Sequence, residues 1–163
     1  MPKHDWWEGI WTIKHVRKGK VIWEETKRNA LVDEGESIML DSFFRSLNAP
    51  TEFYVRLAFD SIQETDGLAN IQREPVGNGY SAQLLERSTV GFPTLELHEG
   101  DYRVKSKEVT FAAIGGSIGP VNVAYLATTS DNTGKLVGYV ALSIERTILD
   151  GDEVYVAMTI KMR

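Results

Sequence analysis

The stretch VYVAMTIKM, residues 154–162, decides the fold. Val154, Val156, Met158, Ile160 and Met162 recur at every second position, so as a strand the segment carries one continuous apolar face. Such a face has to be buried. Upstream lie LVGYVALSIERTI (136–148) and VNVAYLATTS (121–130), set apart by the turn-rich LDGDE (149–153) and DNTG (131–134). Three strands on short connections read as an antiparallel meander.

Further strand signals extend towards the N-terminus. YRVKSKEVTFAAI (102–114) and YSAQLLERS (80–88) are two, and FYVRLAF (53–59) alternates, with Phe53, Val55, Leu57 and Phe59 expected inward and Tyr54 and Arg56 outward. Residues 60–79 are polar, with a helical opportunity after Thr65 and Asp66, and are expected to form a long surface segment. IWTIKHV (10–16) and VIWEET (21–26), joined by RKGK (17–20), predict a hairpin that places Trp11, Ile13 and His15 on one face of its first arm and Val21 and Trp23 on one face of its second. Two strands alone are marginal in water, so the hairpin lies against something else.

One helix is expected, over residues 33–47 in VDEGESIMLDSFFRSLNAP (32–50). Asp33 and Glu36 suit a capping box, Asn48 and Pro50 a stop. Met39, Leu40, Phe43, Phe44 and Leu47 form a stripe at helical spacing, which predicts a core-facing helix. The fold class that follows is mainly β: an antiparallel β-sandwich or barrel of about seven to nine strands with one amphipathic α-helix. Its organisation is a Trp-rich hairpin or arm over residues 1–28 and a single β-rich domain over 29–163.

Composition limits the function. The 163 residues carry a net charge of −5, which argues against nucleic acid as a partner. The charge is uneven, however: residues 1–28 hold seven Lys/Arg against four Asp/Glu, and residues 33–101 hold four against thirteen. A basic end on an acidic body suits docking onto an acidic partner or a neighbouring copy. Without cysteine there is neither disulfide nor thiolate chemistry. No run approaches the length of a membrane span, and the polar, aromatic start does not read as a targeting segment.

Catalytic patterns are missing. His4, His15 and His98 lie far apart, Asp150-Gly151-Asp152-Glu153 lacks the ligand spacing of an EF-hand loop, GGSIG (115–119) lacks the Lys-Ser/Thr of a phosphate loop, and no Gly-x-Ser-x-Gly elbow occurs. The expectation is a protein that is not an enzyme and holds no metal or cofactor. All four tryptophans, Trp6, Trp7, Trp11 and Trp23, crowd into the first 23 residues. They are the candidate protein-interface residues, because tryptophan leads the residue types that anchor interfaces; the alternative is that the hairpin closes its own sandwich.

Three segments carry a resemblance: residues 28–61, EPVGNGYSAQLLERS (74–88) and residues 109–162. Together they resemble a family of small structural proteins of tailed bacteriophages, through Asn29, Gly35, Phe43, Phe44, Tyr54, Leu57, Gly79, Tyr80, Gly151 and Asp152, over about four fifths of the chain. The resemblance implies a virion protein assembled in the host cytoplasm. The role expected is a decoration or cement protein that binds the outside of the head, with the major capsid protein and copies of itself, as in a homotrimer, as partners. A tail, tail-fibre or baseplate component is the alternative, and a carbohydrate-binding β-sandwich a third. Its motifs are cap, turn and core residues, so it supplies no catalytic residue.

Overall fold

A computed structural model describes residues 7–29 and 31–162, so Trp6 and His4 lie outside the described residues. Ten strands form two antiparallel sheets that face each other as an open sandwich and do not close into a barrel. β1 (Trp7–Arg17) and β2 (Lys20–Asn29) are the predicted hairpin. Its turn residues Lys18 and Gly19 have φ of 49° and 73°, the left-handed pair that matches the twist of a two-residue hairpin.

The other strands are β3 (Glu52–Ala58), β4 (Gln83–Glu86), β5 (Thr94–His98), β6 (Asp101–Lys105), β7 (Val109–Ala112), β8 (Ile118–Ala127), β9 (Leu136–Ile148) and β10 (Glu153–Met162). The first sheet runs β2-β1-β10-β6-β5, with β7 also paired to β10; the second runs β4-β3-β8-β9. The expected C-terminal meander is therefore corrected. β8 and β9 pair with each other, but β10 crosses to the first sheet, where it pairs with β1 from Trp7 opposite Met162 to Val16 opposite Glu153. A short turn permits either arrangement, and the long partner strand β1 decides between them.

Between the sheets lies the main core, with Trp11, Ile13, Leu57, Phe111, Leu126, Ile148, Val156 and Met158 among its buried side chains. A second core sits on the outer face of the second sheet. There Val123, Tyr125 and Ala127 of β8 are covered by Ile62, Leu68 and Ile71, with a 3-10 turn at Leu68–Asn70. The polar segment after β3 is thus a third layer pinned by three apolar side chains. This layer corrects the expected outward placing of Arg56, which is 2% exposed because its face of β3 lies beneath the cover. Alternation along a strand tells two faces apart but does not say that either meets water.

The helix is corrected too. α1 (Asp33–Leu40) gives way to a π-helical turn at Asp41–Arg45, Val32 takes the N-cap position, and no side chain caps it. The expected core stripe faces out: Leu40, Phe43, Phe44 and Leu47 are all exposed, and Met39 is only partly buried. The helix instead docks through Gly35 and Ile38. A Cβ at Gly35 would stand 2.0 Å from the Val137 carbonyl oxygen of β9, so only glycine allows this approach. Close backbone packing on that face turns the bulky residues of the stripe away from the sheets.

Candidate protein interface

Two buried polar clusters and one exposed apolar face stand out. In the first cluster, β1 delivers His15, which is 1% exposed, against the turn before β10. The His15 Nε2 lies 2.8 Å from Asp152 Oδ2, while Nδ1 accepts from the Arg146 guanidinium at 3.0 and 3.2 Å. With Nδ1 accepting, the proton resides on Nε2 and is donated to Asp152. Arg17 forks onto the same carboxylate at 2.8 and 2.9 Å, and Arg146 covers the Trp23 ring. Burial lowers the pKa of His15 and the Arg146 charge adds to this, outweighing the bond to Asp152. The Arg17 fork, with help from His15, holds Asp152 well below the usual carboxylate range. Both imidazole nitrogens are engaged and the ring is closed off, so the cluster ties the hairpin to β10 and presents no proton-transfer group to a substrate.

The second cluster ties β3 to its cover. Arg56 pairs through Nε with Glu74 Oε1 at 2.9 Å and through Nη2 with Glu74 Oε2, and donates to the Asp131 carbonyl at 2.7 Å and Asn132 Oδ1 at 2.9 Å. Its guanidinium stacks over the Tyr125 ring at 5.3 Å. The Tyr80 hydroxyl donates to Glu74 at 2.6 Å and accepts the Leu57 N–H at 2.9 Å; burial, with the Glu74 charge beside it, pushes this phenol well up. Neither cluster contains three ligand-type side chains placed for a metal, and no such group occurs among the described residues.

The exposed face is the helix surface that the sequence assigns to the core. Phe43 and Phe44 are 81% and 75% exposed, with ring centroids 4.9 Å apart at an interplanar angle of 75°. Leu40 and Leu47 flank them. Asp41 holds the turn rigid: its carboxylate takes Arg45 at 2.8 Å and Asn48 at 3.2 Å, and its carbonyl accepts the Leu47 N–H at 3.0 Å. Glu34 anchors the helix from behind, accepting the Leu136 N–H at 2.7 Å, the Leu68 N–H at 3.1 Å and Lys135 at 3.0 Å. Burial opposes the charge on Glu34, but these three bonds outweigh it and lower its pKa. Beneath the helix opens a cleft of about 380 Å³, lined among others by Glu34, Ser37, Ile38, Asp41, Pro50 and Lys135 and by no aromatic ring that could stack on a sugar.

The tryptophans sit elsewhere. Trp11 is 3% exposed in the main core, so its ring is closed to a partner, and Trp7 and Trp23 pack half-buried against that core. Residues 7–28 are built into the first sheet as β1 and most of β2. The Phe43–Phe44 pair is visible in the sequence, where its spacing predicts core; the signal against that reading is Gly35, a glycine inside the helix that marks a close backbone approach on another face. The chain matches no known family model, and no curated protein matches it either.

Proposed function

We propose that this chain is a non-enzymatic structural subunit of a tailed-phage virion, a decoration protein that binds the outside of the head and stabilises it through protein–protein contacts. The observation that carries the reading is the rigidly held, exposed Phe43–Phe44 face. Aromatic side chains fixed on a braced turn offer apolar contact area at little cost in conformational entropy, which is the character of an interface anchor. A π-helical turn is an uncommon device that recurs at functional sites. The phage assignment rests on the sequence resemblance, and Phe43 and Phe44 are among the residues that carry it. Trp7 lies at the same end of the sandwich, across from Met162, and can extend the contact.

The test is to purify heads free of tails and count copies of the chain per head by quantitative mass spectrometry, with wild type and with Phe43→Ser/Phe44→Ser. Hundreds of copies that fall sharply in the variant are expected. A few copies, or copies found only with tails, would overturn the decoration role and place the chain in the tail.

A further inference from the structure

An edge strand offers a row of unpaired N–H and C=O groups to any other strand, and folded proteins blunt such edges. Most edges of this sandwich are blunted. β9 has its free groups taken by neighbouring segments: Leu31 bridges to Gly138, Lys27 donates to the Ala141 carbonyl at 2.8 Å, and the Ser143 N–H donates to Glu25 at 3.0 Å. β2 lies along the same seam and carries Lys20, Glu24, Glu25, Lys27 and Arg28. Residues 78–79 run past the end of β7, where the Ile114 N–H donates to the Asn78 carbonyl at 2.9 Å and Gly79 packs on the Ala112 carbonyl. β4 is four residues long, and the chain folds back on its end, where the Ser88 N–H takes the Glu86 carbonyl at 2.8 Å.

β5 is different. It pairs with β6 on one side, and among the described residues nothing takes the backbone groups on its other side. Its hairpin turns on Glu99 and Gly100, with φ of 53° and 91°, so His98 and Asp101 close the turn as a hydrogen-bonded pair. Counting back by twos, Glu96 and Thr94 also bond to β6, and Leu95 and Leu97 aim their N–H and C=O groups at the open edge. The side chains of these two leucines are 73% and 62% exposed, beside an exposed Tyr102. They continue the core-facing side of the sheet, because Leu95 lies opposite Val104 and Val104 opposite Ile160, which packs on the core. Open backbone and open apolar surface therefore belong to the same two residues.

We infer that β5 pairs antiparallel with β5 of a second copy of this chain, about a twofold axis through Glu96, joining two first sheets into one. The inference does not rest on the reading of the Phe43–Phe44 face. The strand is its own complement: reversed about Glu96, Leu95 falls opposite Leu97 of the second copy and Leu97 opposite its Leu95. Each such pair exchanges both of its N–H···O bonds, and each leucine covers a leucine. On the other face the two Glu96 carboxylates meet. Each already carries two cations of its own hairpin, Arg103 at 2.5 Å and Lys105 at 2.8 Å, so no bare pair of like charges forms. A strand of another sequence would satisfy the backbone without setting leucine against leucine at both positions. The contact is closed and small, so the dimer is a weak one.

Sedimentation equilibrium of the full chain, from about 1 µM to about 1 mM, is expected to show a reversible dimer. Leu97→Pro removes an outward N–H and leaves the bonds to β6 in place, so it should weaken the dimer at least tenfold. Because the chain has no cysteine, introduced cysteines report the register, even where proline disturbs the hairpin. Thr94 of one copy faces His98 of the other as a non-hydrogen-bonded pair, with Cα atoms about 4.5 Å apart and within disulfide reach. Thr94→Cys and His98→Cys chains should therefore cross-link when mixed and oxidised. Neither should do so alone, since like positions stand about 13 Å apart across the axis. Wild type that stays monomeric over the whole range overturns the inference. So does a Leu97→Pro chain that dimerises as tightly as wild type, which would place the contact elsewhere, or a mixture that cross-links no faster than its separate chains. None of these results touches the copy count on heads, so the two readings fail separately.

Discussion

Replacing Glu74 by alanine should destabilise the protein far more than the loss of a quarter-exposed surface acid suggests. The Glu74 side chain is 25% exposed, but its partner Arg56 is 2% exposed and cannot move to water without lifting the layer that covers β3. In Glu74→Ala the guanidinium keeps the Asp131 carbonyl, Asn132 and the Tyr125 ring and loses the carboxylate it pairs with. Tyr80 loses Glu74 as an acceptor as well, but its hydroxyl can still donate to the Leu57 carbonyl at 3.2 Å, so the loss falls mainly on the ion pair. Breaking a buried pair by removing one partner costs about 3–5 kcal/mol. Water entering beside the vacated position favours the lower end, about 3 kcal/mol, which for a chain of this size lowers the melting midpoint by about 10 °C. Arg56→Met removes the buried charge itself, fills much of the same volume and lets Glu74 rehydrate, so about 1–2 kcal/mol is expected. The double variant should then be less destabilised than the two single costs added together. Urea unfolding followed by tryptophan fluorescence measures all three, with Trp11 in the core as a reporter. The reasoning is refuted if Glu74→Ala costs no more than Arg56→Met, or if the two costs simply add.

Two further outcomes follow from the same structure. His15 resists protonation in the folded state while the unfolded chain accepts a proton near pH 6.5, so stability should decline as pH falls from 6.5 towards the lowered folded pKa. The decline is at most about 1.4 kcal/mol per pH unit, and His15→Gln should flatten it; equal slopes in wild type and variant would rule out His15 as the source. Asp152 stays ionised throughout that window and adds nothing to the slope. Gly35→Ala should lower the thermal midpoint although alanine favours helix by about 1 kcal/mol, because its Cβ would meet the Val137 carbonyl at 2.0 Å. Hydrogen exchange should then quicken in α1, and an unchanged or raised midpoint would contradict the docking described for the helix.

Residue types and local spacing were enough to set the mainly β class, the β1–β2 hairpin with its Lys18-Gly19 turn, and the apolar face of β10, because alternation and turn chemistry act between residues close in the chain. They also placed a helix over residues 33–47, of which 33–40 are α-helical and 41–45 form the π-helical turn. What they could not set is which face meets which neighbour. The stripe Leu40, Phe43, Phe44 and Leu47 has the periodicity of a buried surface, yet the backbone approach at Gly35 sends it outward. Arg56 alternates as a surface residue, yet a segment reading as polar loop brings Ile62, Leu68 and Ile71 over it and supplies Glu74 as its counter-charge. His15 and Asp152 stand 137 positions apart in the chain, and no local pattern links them. Each of these depends on contacts between distant segments, and the free energy of such contacts is fixed only once the sheets have paired and closed on one another.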